Sequence, residues 1–262
     1  MESDTRDTAL SVGVIPLDRF TMTPFASFLD VLRLAADKGD RSEQRNCTWT
    51  VTSPGRSMVA SSTGVQITLD RQPPDPSNFD YIAVFGGVLK NEPTLDNDTQ
   101  LYLQKADEAG VPLIGICTGS YALVDAGLMK NRRCCISWFH HRDYLDAFGE
   151  IPLETGQLFL EDQDRITCAG GTSAADLAVW LVHRHMGERW ANKCQRMMIM
   201  SEVRAPTHPQ PAIITPQTIR CPKLREAVHL IELNIYERFS TEDLAARVAL
   251  SKRSLERKFR EE

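Results

Sequence analysis

The sequence predicts a mostly parallel α/β sandwich of three layers, followed by a small all-α unit. Three observations lead to this prediction. Short apolar runs alternate with amphipathic segments of helical length over residues 10–200, which is typical of a parallel sheet covered by helices. Residues 201–222 contain five prolines, which indicates a linker between two domains. Residues 223–262 show helical periodicity together with helix-capping residues.

The first half of the larger domain contains the strands and helices that precede a cysteine-bearing turn. Its first helix has apolar residues at positions 25, 28, 29, 32 and 36, which form one face. Asp30 and Arg33 lie one turn apart on this helix and share a face. The strand at 80–87 is apolar on both faces and ends in two glycines. In order, the predicted elements are strand 12–17, helix 24–36, strands 47–53 and 65–69, strand 80–87 and helix 101–109.

The run from Val111 to Ser120 combines an apolar strand with a tight turn around Cys117. Gly115 and Gly119 stand two residues on either side of Cys117, as in a nucleophile elbow, where the turn leaves no room for side chains and strains the central residue. We expect the thiol at the carboxyl edge of the sheet, where parallel sheets bind ligands. There it would face the first turn of helix 118–126, whose free amides and dipole favour a thiolate or a bound anion.

Four further predicted elements complete the larger domain. Residues 133–138 form a predicted strand, which His140 and His141 follow. Residues 166–172 repeat the pattern of a strand that ends in small residues, and the next helix is predicted over 173–186. A last helix is predicted over residues 189–200.

The C-terminal residues predict a helix-turn-helix after a helix at 223–239. Ser240 and Ser251 each stand at an N-cap position before a further helix. The second of these helices would pack Leu255 and Phe259 inward and turn its basic side outward. This spacing places the second helix for the major groove of DNA. The residues expected to contact DNA are Lys252, Arg253, Ser254, Glu256 and Arg257.

Charge is distributed unevenly along the 262 residues. Residues 247–260 hold six basic residues and one acidic residue, whereas the rest of the chain holds 24 basic and 34 acidic residues. A basic end on an acidic body indicates a nucleic-acid contact limited to that end, although a solvated helix face has the same composition.

No apolar run is long enough to cross a bilayer, so we expect a cytoplasmic protein. Seven cysteines without a C-x-x-C pair predict reduced thiols, with neither a metal nor a cofactor.

The ordered motifs of the chain resemble those of one regulator family. They are Gly115-Ile-Cys-Thr-Gly119 with Gly127-Leu128, Trp138, Ala169-Gly-Gly-Thr172 with Asp176, and Leu244-Ala245 through Ser251-Lys-Arg-Ser-Leu-Glu-Arg257 with Phe259. The sequence thus resembles AraC/XylS-type transcription regulators whose sensor is a class I glutamine amidotransferase-like (PfpI-type) domain, the arrangement of the GlxA family. The resemblance implies a flavodoxin-like sensor, binding of double-stranded DNA by a homodimer, and a small-molecule effector such as an amino acid or a quaternary amine.

Two departures from the family pattern limit what the resemblance implies. Relatives commonly have a histidine before the tryptophan that can pair with the elbow cysteine, whereas Ser137 precedes Trp138 here. We therefore expect no catalytic dyad and no enzyme activity, with His140 and His141 solvated. An AraC-type module resembles two helix-turn-helix units, and this sequence ends at Glu262 after the first, so we expect half of the DNA-binding module to be missing.

The expected effector site combines the elbow with its neighbours at the sheet edge. Its candidate residues are Cys117, Thr118, Asp30, Arg33, Trp138 and Gly87. An aspartate and a tryptophan together can hold a cation through charge and ring face. The alternatives are an inert turn thiol at Cys117, a surface ion pair of Asp30 with Arg33, and a core position for Trp138. The alternative functions are a PfpI-like cysteine hydrolase or hydratase with a vestigial tail, and a catalytically inactive interaction module.

Overall fold

A computed structural model describes residues 8–69, 71–89, 95–149, 151–211, 219–233 and 240–261. The chain forms two compact units, Met1–Gln210 (unit 1) and Pro211–Glu262 (unit 2). The stretch predicted as a linker, residues 201–222, spans the division between them. Its first ten residues belong to unit 1 and bond to that unit's sheet and helices.

A central sheet organises unit 1, and the described residues contribute six strands to it in the order β2-β1-β5-β6-β10-β9. Neighbouring strands run parallel from β2 through β10, and β9 pairs antiparallel with β10. The predicted mostly parallel sheet is therefore confirmed. The strands of this sheet are β1 Leu10–Pro16, β2 Cys47–Val51, β5 Tyr81–Phe85, β6 Leu113–Ile116, β9 Phe159–Asp162 and β10 Arg165–Cys168; β3 Met58–Ala60 and β4 Gln66–Thr68 form a separate antiparallel ribbon.

Helices cover both faces of the sheet, which gives the three predicted layers. Along β5, Ala83 and Phe85 face the core beneath α1 and α5, whereas Ile82 and Val84 face the core beneath α2 and α3. Both faces are apolar because a parallel sheet of this kind is buried on both sides. The helices of unit 1 are α1 Met22–Ala36, α2 Asn97–Glu108, α3 Gly119–Asp125, α4 His141–Phe148, α5 Ser173–Met186 and α6 Glu188–Met197.

The segment after the elbow helix differs from its prediction. A strand was expected over residues 133–138, but β7 covers only Cys134–Cys135 and pairs with β8, Leu153–Glu154, outside the central sheet. The strand stops because the Ser137 hydroxyl accepts a bond from the N–H of Phe139 and caps a 3₁₀ turn, Trp138–His140. The helix α4 and the antiparallel strand β9 were not predicted.

The described part of unit 2 contains three helices, α7 Pro222–Leu233, α8 Thr241–Arg247 and α9 Lys252–Glu261, which share a small apolar core. Residues 234–239, the end of the predicted helix 223–239, lie outside the described residues. Ser240 caps α8 in a capping box, and the Ser251 hydroxyl accepts a bond from Ser254 N–H at the start of α9, so both predicted caps are confirmed. Leu255 is buried as expected, but Phe259 is 44% exposed rather than packed inward.

A membrane-crossing helix was searched for among the residues that the structure describes. None of their helices is both long enough and apolar enough to span a bilayer.

Candidate functional site

Cys117 occupies the predicted elbow between β6 and α3. Its φ is +56°, in the left-handed region that non-glycine residues seldom adopt, so the backbone strain expected from the sequence is present. Gly119 is required because a Cβ there would lie 2.8 Å from the carbonyl carbon of Val84 and closer still to its oxygen. Gly170 approaches from the other side, where an added Cβ would lie 2.8 Å from the Cβ of Cys117. Backbone packing on both sides therefore holds the elbow in place.

The pKa of the Cys117 thiol is raised, although the sequence predicts that the helix N-terminus favours a thiolate or a bound anion there. Burial raises its pKa above the ordinary cysteine value, and this effect exceeds the opposing bonds from the Thr118 N–H and the Thr21 side chain. Neither of these partners is a base. A nucleophilic cysteine needs a lowered pKa or an adjacent base, and neither is found among the partners that shift the pKa of Cys117.

The two histidines after the elbow helix were expected to be solvated. His140 is not solvated as expected, since its side chain is only 19% exposed. Its Nδ1 lies 3.2 Å from Oδ2 of Asp143, and its backbone carbonyl accepts a bond from the Tyr121 hydroxyl. His141 is the first residue of α4. Neither residue is among the partners that shift the pKa of Cys117.

A pocket of about 390 Å³ opens beside the elbow at the carboxyl ends of β1 and β5. Gly87 and Thr118 meet in its wall, where the Thr118 hydroxyl donates to the Gly87 carbonyl at 2.8 Å, so two predicted site residues are brought together. Its full lining is Pro16, Leu17, Asp18, Ser53, Arg56, Gly86, Gly87, Val88, Leu89, Leu95, Asp96, Thr99 and Thr118.

The charged residues of this pocket are ones that sequence reasoning missed. Asp18 lies two residues past the end of β1, and Arg56 and Asp96 form an ion pair of 2.7 Å in which both side chains are partly exposed. The position of Asp18 just past a strand end was a usable signal, since ligands of parallel sheets bind there. Arg56 and Asp96 come from loops whose approach to the sheet edge has no local sequence signal.

Asp30 and Arg33 do not lie at the sheet edge where the effector site was expected. Their side chains pair with each other at 3.1 Å on the surface of α1, and Arg33 also pairs with Asp40. Asp30 lies eight residues, or about 12 Å of helix, beyond the start of α1. The structure thus supports the alternative of a surface ion pair.

Trp138 also lies outside the lining of this pocket. It is half-buried, and its backbone N–H donates to the side-chain oxygen of Gln210 at 2.9 Å. The pocket at the sheet edge therefore brings together two of the six predicted site residues, Thr118 and Gly87, and adds Asp18, Arg56 and Asp96. Cys117 precedes Thr118 in the chain but is not among the lining residues.

The five residues expected to contact DNA lie on α9. Arg253 and Arg257 are exposed, whereas Lys252 reaches back to Glu242 of α8 in a 2.5 Å ion pair that raises its pKa. Ser254 and Glu256 are half-buried. The helix therefore presents its arginines outward while Lys252 connects it to α8.

Comparison with known proteins gives a family for the chain. Residues 23–184 match the model of the DJ-1/PfpI family. The HTH-type transcriptional regulator GbdR of Pseudomonas aeruginosa is 32% identical over 251 residues, which cover 95% of this chain and 67% of GbdR. The isonitrile hydratase of Pseudomonas putida is 30% identical over 134 residues, 49% of this chain and 55% of that enzyme.

A crystal structure of an AraC family transcriptional regulator from Pseudomonas putida has the same fold as unit 1. The two agree with a TM-score of 0.61 at 22% identity, over 72% of this chain and 99% of that one. The family match, the fold and the Cys117 elbow agree, and the chain belongs to the DJ-1/PfpI family, with HTH-type transcriptional regulators among its relatives.

Proposed function

We propose that this chain is a transcription regulator, an activator, whose DJ-1/PfpI unit binds a small metabolite without converting it and whose C-terminal unit binds double-stranded DNA. The observation that carries the sensor half is the Cys117 thiol, which has a raised pKa and threonine partners instead of a base. The similarity to GbdR over 95% of the chain supports the regulator half. The regulator acts in the cytoplasm as a homodimer, since paired half-sites require paired DNA-binding units.

The effector in this proposal is a small zwitterion, either an amino acid or a quaternary amine such as a betaine. The pocket beside the elbow offers the Asp18 carboxylate to the cationic group and the Arg56 guanidinium to the carboxylate. Arg56 is engaged by Asp96 at the surface, and such an exposed ion pair contributes only about 0–1 kcal/mol. A ligand carboxylate can therefore replace Asp96 at little cost. Thr118 and Gly87 supply polar atoms to the wall of the pocket.

Thermal unfolding with a panel of zwitterions tests this effector class. A true effector at about 100 times its dissociation constant adds about 2.7 kcal/mol to the stability of the folded chain. Arg56→Met should abolish the response, whereas Arg45→Met, which removes an exposed arginine elsewhere on unit 1, should leave it intact. A panel of betaines, carnitine and amino acids without any response would contradict the effector class. An unchanged response in Arg56→Met would contradict the placement of the site.

The DNA-binding half of the proposal uses α9 as the recognition helix of a helix-turn-helix with α8. Arg253 and Arg257 would read base edges or phosphates, with Ser254 and Glu256 beside them and Lys252 set by its pairing with Glu242. Fragments selected from a random DNA pool by the whole chain provide the binding assay.

Substitution of the two exposed arginines tests this assignment. Arg253→Ala and Arg257→Ala should each weaken binding by about 1–3 kcal/mol, or roughly 5-fold to 150-fold. Arg225→Ala provides a control, because it removes the same charge from the exposed surface of α7. Equal losses in all three variants would mean that net charge, rather than α9, determines binding.

A cysteine hydrolase or hydratase is the second candidate function. The left-handed Cys117 elbow and the similarity to an isonitrile hydratase over 134 residues favour it. It requires turnover that depends on the Cys117 sulfur.

A further inference from the structure

Residues 203–210, named the strap here, form the last segment of unit 1 and lead directly into Pro211, the first residue of unit 2. The sequence places this segment in a proline-rich stretch, but its two ends are fixed to unit 1 by different kinds of bond. Between them, the Pro206 carbonyl accepts from the N–H of Leu158 at 2.9 Å. The strap thus follows the surface of the sensor as an ordered segment.

The first end of the strap is fixed by Arg204, which pairs with the buried carboxylate of Asp176. Asp176 of α5 is completely buried, and Arg204 donates to it from the backbone N–H at 2.9 Å, from Nε at 3.0 Å and from Nη2 at 2.6 Å. The same Nη2 lies 3.0 Å from the hydroxyl of Thr172. A buried carboxylate cannot lose its cation cheaply, because its charge would then remain unpaired in a medium of low polarity. Arg204 is therefore a firm attachment.

This attachment is next to the elbow. Thr172 belongs to the same turn as Gly170, and an added Cβ on Gly170 would lie 2.8 Å from the Cβ of Cys117 and 3.3 Å from its sulfur. The turn and the elbow are thus in direct contact with no free space between them. Interiors packed at this density transmit displacements instead of absorbing them.

The second end of the strap is fixed by the side chain of Gln210. Its oxygen accepts from the N–H of Trp138 at 2.9 Å, and its nitrogen donates to the carbonyls of Ile136 at 2.7 Å and Gln157 at 2.8 Å. The residue is 9% exposed, so these bonds are shielded from water. Both hydrogens of the amide are used, and the adjacent residue begins unit 2.

We propose that the strap is the conformational device that couples the effector site to the DNA-binding unit. This inference rests on the proposed function, in which the site beside the elbow binds the effector. A ligand that shifts the elbow displaces the Gly170–Thr172 turn and, through Arg204, the strap. Gln210 then sets the point from which unit 2 is tethered. The strap holds Gln210 in place whether or not a ligand is bound. Breaking its bonds should therefore change the affinity for DNA both in the ligand-free and in the ligand-bound protein.

Three variants of the full chain test the coupling. Gln210→Ala removes the three bonds of the second attachment. Insertion of two glycines between Gln210 and Pro211 keeps every strap bond and adds up to about 7 Å of reach. Thr207→Ala, an exposed position within the strap, is the matched control. For each protein, affinity for a selected DNA fragment is measured with and without glycine betaine, and affinity for glycine betaine is measured by calorimetry.

We expect glycine betaine to change the DNA affinity of the wild type by about 5-fold to 150-fold, the usual range of coupling between two sites. In Gln210→Ala and in the glycine insertion this ratio should fall towards one while glycine betaine affinity is kept, and Thr207→Ala should match the wild type. A wild-type ratio in both test variants would overturn the coupling role. If the DNA affinity of the wild type does not respond to glycine betaine, glycine betaine is not the effector. The role of the strap is then tested by the DNA affinities of the variants without ligand. Equal ligand-free DNA affinities in Gln210→Ala, the insertion and Thr207→Ala would then overturn it.

Discussion

Substitution of Gly119 by alanine tests the close packing of the elbow. A Cβ at this position would lie 2.8 Å from the carbonyl carbon of Val84 and closer to its oxygen. Val84 is fully buried in β5, which is bonded to β1 on one side and to β6 on the other. The added methyl group therefore meets a backbone that can move only by disturbing the centre of the sheet.

The structure gives a magnitude for this effect. Overfilling a well-packed interior usually costs about 1–3 kcal/mol, and the upper end applies because the obstacle is backbone rather than a flexible side chain. Alanine recovers up to about 1 kcal/mol of helix propensity relative to glycine. The net loss is about 2 kcal/mol or more, which lowers the melting temperature of a unit of this size by about 4–8 °C.

Thermal unfolding followed by circular dichroism measures this loss, with Gly156→Ala as its control. A Cβ at Gly156 has no heavy atom within 4 Å, and its φ is not in the left-handed region. This control should therefore leave stability unchanged or raise it by up to about 1 kcal/mol. A Gly119→Ala protein that melts together with Gly156→Ala would refute the packing argument.

Two further predictions concern the thiols and the strap. Burial raises the pKa of Cys117, whereas a bond from the Leu224 N–H lowers that of Cys221, so iodoacetamide near neutral pH should label Cys221 first in peptide mass spectrometry. Labelling of Cys117 should rise only as the pH passes above the usual cysteine range; faster labelling of Cys117 would show an activated thiol. Arg204→Met should cost about 3 kcal/mol in urea unfolding because Asp176 is left charged and buried, and the double variant with Asp176→Leu should recover part of the loss. No recovery would mean that Arg204 acts through packing alone.

The parts of this molecule that the sequence predicts correctly are those with local causes. The left-handed turn at Cys117 follows from the glycines around it, and the capping of α8 follows from Ser240 and Asp243 three residues apart. In each case the interacting atoms lie within a few residues of one another. Spacing along the chain therefore determines the geometry.

The parts that were missed depend on contacts between distant residues. Asp30 has the right chemistry for a cation, but its spacing from Arg33 gives no information about its distance from the elbow. Arg204 lies in a proline-rich stretch, and nothing nearby in sequence shows that its partner is a buried carboxylate 28 residues earlier. Arg56 reaches the pocket from a loop in the same way. Such pairings are fixed only once the sheet has brought its strand ends together.

The central claim is that the Cys117 site senses a ligand without converting it. The most direct test is the ligand-dependent output of a reporter gene, driven by a selected DNA fragment, for the wild type and for Cys117→Ser, with mass spectrometry of the ligand in the same cultures. Removing a catalytic sulfur would reduce turnover by orders of magnitude, whereas a cysteine that only shapes the elbow beside the pocket tolerates the smaller oxygen. We expect Cys117→Ser to keep ligand-dependent reporter output and the wild type to leave the ligand unchanged. Steady product formation by the wild type, lost together with reporter output in Cys117→Ser, would contradict the sensor role.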